Sequence, residues 1–262
     1  MTRLSLDFGC GRLKLAGTLD TAPGTTGLLL VSGGNEVRSG AFSGQSLLAA
    51  KIARTGFSVF RFDRRGIGDS EGENRGFRSS EGDITAALKA FRAIAPQVER
   101  VIGFGNCDAA SALMLSSGAG CDGLVLSNPW TIEESEDGGE DASPPPAAIR
   151  ARYAEKLKNP KEIGRLLRGG VDLRKLARGL TKSIRSDPAP STLADEMRTG
   201  LDQFSGPARI LLATGDRTAQ VFEQSWDKSD ARIARCEGAG HAYVEPAHRE
   251  WLEAQILSAL RS

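Results

Sequence analysis

Histidine, cysteine and net charge are all scarce in this sequence, and each scarcity excludes something. Only His241 and His248 occur among 262 residues, and Cys10, Cys107, Cys121 and Cys236 are scattered with no CxxC pair and no Cys/His spacing of the metal-binding kind. A zinc site and a disulfide frame are therefore not expected, and four free thiols suit a reducing compartment. Lys+Arg 34 against Asp+Glu 33 leaves a formal charge of +1, so no overall field selects nucleic acid or an anionic membrane. No apolar run reaches membrane-spanning length, and the opening MTRLSLDFGCGRLKLAGTL alternates with period two instead of carrying the apolar core of a signal peptide. The expectation is a cytoplasmic protein with no integral membrane segment, no nucleic-acid partner, no metal and no cofactor; the oligomeric state is left open.

What the sequence does contain is a regular alternation. Residues 3 to 8 and 12 to 19 read as an antiparallel hairpin around Gly9 and Gly11. Apolar strands GLLLVSGG, FSVFRFD, RVIGFGN, GLVLSNP and ARILLATG then alternate with helical stretches QSLLAAKIARTG, SEGDITAALKAFRAI, DAASALMLSS and VFEQSWDK. Near-continuous apolar strands separated by helices predict a doubly wound, mostly parallel α/β sheet. A last strand, ARIARCEG, precedes a helix that opens at Pro246. Between Trp130 and Pro207 the alternation stops: an acidic turn-rich stretch, TIEESEDGGEDASPPP, leads into short basic amphipathic segments. The domain reading is a core of residues 1–130 and 207–262 with a helical lid inserted at 131–206, over the carboxyl ends of the strands where open α/β sheets bind ligands.

The segment VIGFGNCDAAS places Cys107 where a strand breaks into a small-residue helix start, with Gly105 and Ala109 two positions to either side. In a nucleophile elbow the reactive residue sits on a sharp strand-to-helix bend, and flanking residues must be small for strand and helix to approach. The pattern here is GxCxA. A helix start and a nearby imidazolium both favour thiolate over thiol, although a buried structural thiol fits the same residues. His241 lies in the glycine-flanked loop EGAGHAY after the last strand, whereas His248 falls within the final helix, a packing or surface position. Asp216, in GDRTA after strand ARILLATG, is the candidate acid; its alternative job is to cap the helix beginning near Thr218, and Asp227 is a second candidate. The order nucleophile, acid, histidine is the one elbow enzymes of this kind use.

An acyl-transfer site also needs donors for an oxyanion. The loop SGGNEVRSG offers Gly34 or Asn35, and the residue after the nucleophile offers the Asp108 amide. The Asp108 carboxylate opposes ionisation of the sulfur unless it points away or pairs with a cation, for which Arg64, Arg65 or a lid arginine are candidates. Arg38 and Trp130 are candidate substrate contacts. Asp63, Arg64 and Asp69, with Gly66 and Gly68, are expected to form a hydrogen-bonded turn at the sheet edge rather than to act chemically.

The segments VSGGNEVRSGAFSGQ, RFDRRGIGDSEGENRGF, GNCDAASAL and LSNPW resemble the α/β-hydrolase superfamily and, more narrowly, the type-one hydrolases associated with exosortase A systems. That resemblance spans nearly the whole chain, weakest across 131–206. It implies a bacterial protein linked to exopolysaccharide production, with the superfamily triad falling on Cys107, Asp216 and His241. The cysteine in the elbow is also similar to that of dienelactone hydrolases. The resulting expectation is a hydrolase acting on an ester or thioester of a small-molecule or carrier-linked acyl substrate. Acyl transfer by the same triad, and a non-catalytic binding protein on the same fold, are the rivals; redox sensing at Cys107 has no neighbouring cysteine in sequence to support it.

Overall fold

A strand that is apolar at every position needs cover on both faces, and the fold supplies it. In the computed structural model, which describes residues 2–132 and 192–262, strands β1 (Arg3–Cys10), β2 (Leu13–Asp20), β3 (Thr26–Val31), β4 (Ser58–Phe62), β5 (Arg100–Asn106), β6 (Gly123–Ser127), β7 (Ala208–Ala213) and β8 (Ile233–Cys236) form one sheet. Its order is β1-β2-β4-β3-β5-β6-β7-β8. β1 and β2 form the expected antiparallel hairpin, β2 runs antiparallel to β4, and the remaining pairs are parallel.

The α-helices of the described residues are α1 (Gly44–Arg54), α2 (Glu81–Ile94), α3 (Asp108–Leu115), α4 (Thr192–Gln203), α5 (Arg217–Ser225) and α6 (Pro246–Arg261). Alternation along β3 divides the core: Leu28 and Leu30 pack with Ala49 and Ile52 of α1 and Leu252 and Ile256 of α6, whereas Leu29 and Val31 face Ile84 and Phe91 of α2 and Leu113 of α3. Burying each such side chain contributes about 1.5–3 kcal/mol. Gly27 is required beneath α2, since a Cβ there would lie 2.5 Å from the Phe91 ring.

Residues 133–191, most of the lid expected at 131–206, lie outside the described residues. Within the remainder, α4 inserts Leu193, Met197 and Leu201 into the same cluster as α3. A Cβ on Gly200 would lie 2.1 Å from the Met114 carbonyl, so the absence of a side chain lets the two backbones meet.

The parallel register aligns the carboxyl ends of the central strands: Val31 pairs with Gly105, Asn106 with Ser127, and Ala213 with Cys236. The loops after β3, β5, β6, β7 and β8 therefore emerge along one edge, and Gly34, Asn35, Arg38, Cys107, Trp130, Asp216 and His241 lie on them.

Candidate active site

Cys107 occupies the bend between β5 and α3 with φ 63° and ψ −130°. That conformation costs a non-glycine residue about 1–3 kcal/mol. The surroundings hold it there. The Cys107 amide donates to the Ser127 carbonyl on β6 at 2.9 Å, and its own carbonyl accepts from Ala110 at 3.1 Å. A Cβ at Gly105 would sit 2.6 Å from Ala109, itself fully buried, which is the steric reason for small residues on both sides of the nucleophile position. The thiol is half-buried.

The other half of the site comes from the loops after β7 and β8. Asp216 Oδ2 lies 2.8 Å from His241 Nδ1, and the same oxygen accepts from the Ala219 amide at 3.3 Å as the N-cap of α5. Asp216 thus caps α5 and bonds His241 through the same oxygen. The two loops are stitched by the Gly215 amide to the Ala239 carbonyl at 2.9 Å. Hydrogen bonding to Asp216, and next to Cys107, raises His241 to about 10 against the opposing effect of burial. The imidazole thus bonds the carboxylate and lies close enough to the sulfur for it to add to this rise. Asp227 is fully exposed and bonds Ser229 N and Oγ at 2.8 and 2.7 Å, bonds that hold it below the usual carboxylate range. His248 lies on α6 beside Glu245 at 3.1 Å.

Three supports of His241 were not anticipated from the sequence. Asn106 Nδ2 lies 3.3 Å from His241 Nε2. Asn128 donates to Asn106 Oδ1 at 3.0 Å and to the His241 carbonyl at 3.3 Å, while its own Oδ1 accepts from Ala213 at 2.8 Å. Tyr243, buried two residues after His241, shares a hydrogen bond with Ser127 Oγ at 3.1 Å and stacks on Trp251 with ring centroids 6.1 Å apart. Burial pushes its phenol up to about 12. The available signal was positional: Asn106 and Asn128 stand at the ends of adjacent strands on the site edge.

Opposite lies the loop after β3. A Cβ on Gly33 would come 2.6 Å from the Asn106 carbonyl, so only glycine lets this loop reach the elbow. The Gly34 amide donates to Asp108 Oδ1 at 2.6 Å, and Asp108 Oδ2 pairs with Arg64 at 3.1 Å. Arg64 also donates to the Gly34 carbonyl at 2.5 Å and to Ser80 Oγ at 3.1 Å. Of the candidate counter-ions Arg64 fills the role, while Arg65 turns to Asp83 at 2.6 Å. One expectation needs correcting: the Gly34 N–H is already taken by a carboxylate, because the Asp108 side chain folds back over the loop. The Asn35 amide has no such bond among the described residues, and the Asp108 amide, in the first turn of α3, has no carbonyl within its helix to bond.

Arg38, expected as a substrate contact, sits within an ion-pair cluster. It is paired with Asp63 and, at 2.9 Å, with Asp69, and donates to Thr18 Oγ1 at 3.0 Å. The turn after β4 forms as expected, with Ile67 N to Arg64 O and Ser70 N to Ile67 O both at 3.0 Å. Trp130 is half-buried against the core, its amide and carbonyl both bonded to Ser111 Oγ of α3 at 2.8 Å. No group of side chains suited to a metal occurs among the described residues, nor does any helix there have the length and apolarity to cross a membrane.

A family model described as the alpha/beta hydrolase family matches residues 28–254. No curated protein sequence matches the chain. Among solved structures, the chain is similar to the esterase Pf2001 of Pyrococcus furiosus, with TM-score 0.62, 14% identity, and 99% of this chain and 90% of that one covered. It is similar to the alpha/beta hydrolase GrgF of Penicillium sp. sh18, with TM-score 0.64, 17% identity and coverage of 100% and 98%. A third similar structure is Est1E of Butyrivibrio proteoclasticus with ferulic acid bound, with TM-score 0.60, 12% identity and coverage of 98% and 100%.

Proposed function

Because this chain belongs to the alpha/beta hydrolase family, we propose that it cleaves ester or thioester bonds through a triad of Cys107, His241 and Asp216. The observation that carries this reading is the single imidazole that bonds Asp216 through Nδ1 at 2.8 Å while its Nε2 lies 3.3 Å from Asn106, the residue before Cys107. Asp216 strengthens His241 as a base, so the ring takes the proton of Cys107 as Sγ attacks the acyl carbon. Backbone N–H groups of Asn35 and Asp108 receive the developing oxyanion. Collapse breaks the bond to the leaving group, which takes the proton from His241. Water, deprotonated by His241, then adds to the thioester and frees Sγ.

An amine or hydroxyl acceptor in place of water makes the same site an acyltransferase. Residues 131–206 are proposed to cover the site as a lid on a core of 1–130 and 207–262, with Trp130 as a pocket wall. The segments shared with the exosortase-associated type-one hydrolases favour a cytoplasmic role beside exopolysaccharide production and a carrier-linked acyl substrate.

The test is turnover of p-nitrophenyl and coenzyme A acyl esters by the wild type and Cys107→Ala, with site-resolved iodoacetamide labelling against pH. Activity lost in the variant, and labelling of Cys107 faster than that of an ordinary thiol, are expected. Turnover that survives in Cys107→Ala removes the cysteine mechanism; no turnover together with ordinary labelling favours a binding protein.

A further inference from the structure

The pair of asparagines beside His241 has a direction, and backbone groups dictate it. The Ala213 amide can only donate, so the atom of Asn128 that it meets at 2.8 Å is the side-chain oxygen. The Asn128 nitrogen then faces the other way, toward the His241 carbonyl at 3.3 Å and Asn106 Oδ1 at 3.0 Å. Asn106 is left with its own nitrogen turned to the histidine, 3.4 Å from the same carbonyl and 3.3 Å from Nε2. A carbonyl only accepts, so it excludes the flipped form of either amide. Asn128 is suited to this place. It is fully buried, its backbone N–H donates to the Leu211 carbonyl at 2.8 Å, and its φ of 44° is a left-handed conformation that asparagine tolerates better than most side chains.

That direction reaches the ring. A donor facing Nε2 needs a lone pair there, so the neutral imidazole carries its hydrogen on Nδ1, and the Asp216 carboxylate, which only accepts, demands the same. Both ends of the ring agree. A second proton, on Nε2, would point at the N–H of Asn106. Asp216 and Cys107 are the titratable groups that raise the proton affinity of the ring, while the Tyr243 phenol is turned to Ser127. Asn106 opposes that rise at the nitrogen from which the proton has to leave.

We propose that Asn106 and Asn128 are positioning residues that hold His241 in its Nδ1–H form and reserve Nε2 for the proton exchanged with Cys107. This role rests on the triad proposed above, in which the ring takes the thiol proton and returns it to the leaving group. Without Asn106 the ring keeps that proton more firmly, so its release slows while substrate binding is untouched.

The experiment is nitrogen NMR of the full chain with isotopically labelled histidine, followed against pH, with His248→Gln to assign the two rings. Turnover of p-nitrophenyl acyl esters is measured on the same variants. In wild type the Nε2 signal is expected to move as pH rises, while Nδ1 keeps its proton. In Asn106→Ala the ring is expected to titrate about one pH unit higher, and kcat to fall about tenfold with KM unchanged. Asn128→Asp retains the left-handed bend but offers Asn106 an acceptor in place of a donor, which turns that amide round and moves the ring in the same direction. Circular dichroism confirms folding, and Asn106→Ala, at a half-buried position on the site edge, decides alone if Asn128→Asp is unfolded. A wild-type ring that gives up its Nδ1 proton first, or a folded Asn106→Ala that titrates or turns over as wild type does, overturns the assignment. The ring signals need no substrate, so turnover surviving in Cys107→Ala strikes the triad and leaves the form of the ring standing.

Discussion

Two carboxylates flank the elbow, and the regions that hold them are built for different purposes. On the β7–β8 side, Asp216 Oδ2 faces an imidazole and a helix amide and no Lys or Arg among the described residues, so its charge acts on His241. On the β3–β5 side, Asp108 is met by Arg64 and by the Gly34 amide, so its charge is spent in fastening the loop after β3 to the first turn of α3. The same side chain raises the proton affinity of an imidazole in one region and acts as a latch in the other, and the neighbouring guanidinium makes the difference.

The sharpest way to break the comparison is Asp216→Asn, which keeps shape and removes charge. On the proposed mechanism, acyl turnover falls by about 10³- to 10⁴-fold and the His241 titration followed by NMR moves down toward its ordinary 6.5. Unchanged turnover, with the loss appearing in Asp227→Asn instead, would reverse the assignment.

Arg64→Gln tests the latch. Arg64 and Asp108 are 6% and 14% exposed, so removing the cation strands a largely buried carboxylate and destabilises by about 3–5 kcal/mol in urea titrations. Arg64→Gln combined with Asp108→Asn is expected to recover much of that. If the double variant is no better than the single one, the two residues are not acting as a pair.

The smallest effect is on stability against pH. The folded-state affinity of His241 is raised from 6.5 to about 10, so its contribution is complete below about pH 6.5 and is lost as pH climbs through 10. The midpoint temperature of wild type relative to His241→Gln is expected to shrink across that window, and Asp216→Asn should flatten the trend. A difference independent of pH would mean that the ring is held by packing and not by charge.

Sequence order carried the fold far. Hairpin, parallel strands and their helices lie close to where periodicity puts them, because a strand covered on both faces reads as an unbroken apolar run and a helix as a stripe. Cys107, Asp216 and His241 could be grouped from sequence because each lies in the turn or loop after a strand and the carboxyl ends of the parallel strands share one edge. Asn106 and Asn128 were not, since an asparagine at a strand end looks alike whether it faces solvent or braces a loop more than a hundred residues away. The seizure of the Gly34 amide by Asp108 was equally hidden, because it depends on a side-chain direction that spacing does not encode.

Trp251 of α6 is the surface on which Tyr243 rests, and Tyr243, two residues after His241, ties that loop to Ser127 of β6. The C-terminal helix is thus a remote buttress of the base. On the proposed mechanism, a protease nicking the chain before Trp251, or a tag that pries this helix away, would cost activity with Cys107, His241 and Asp216 all still present.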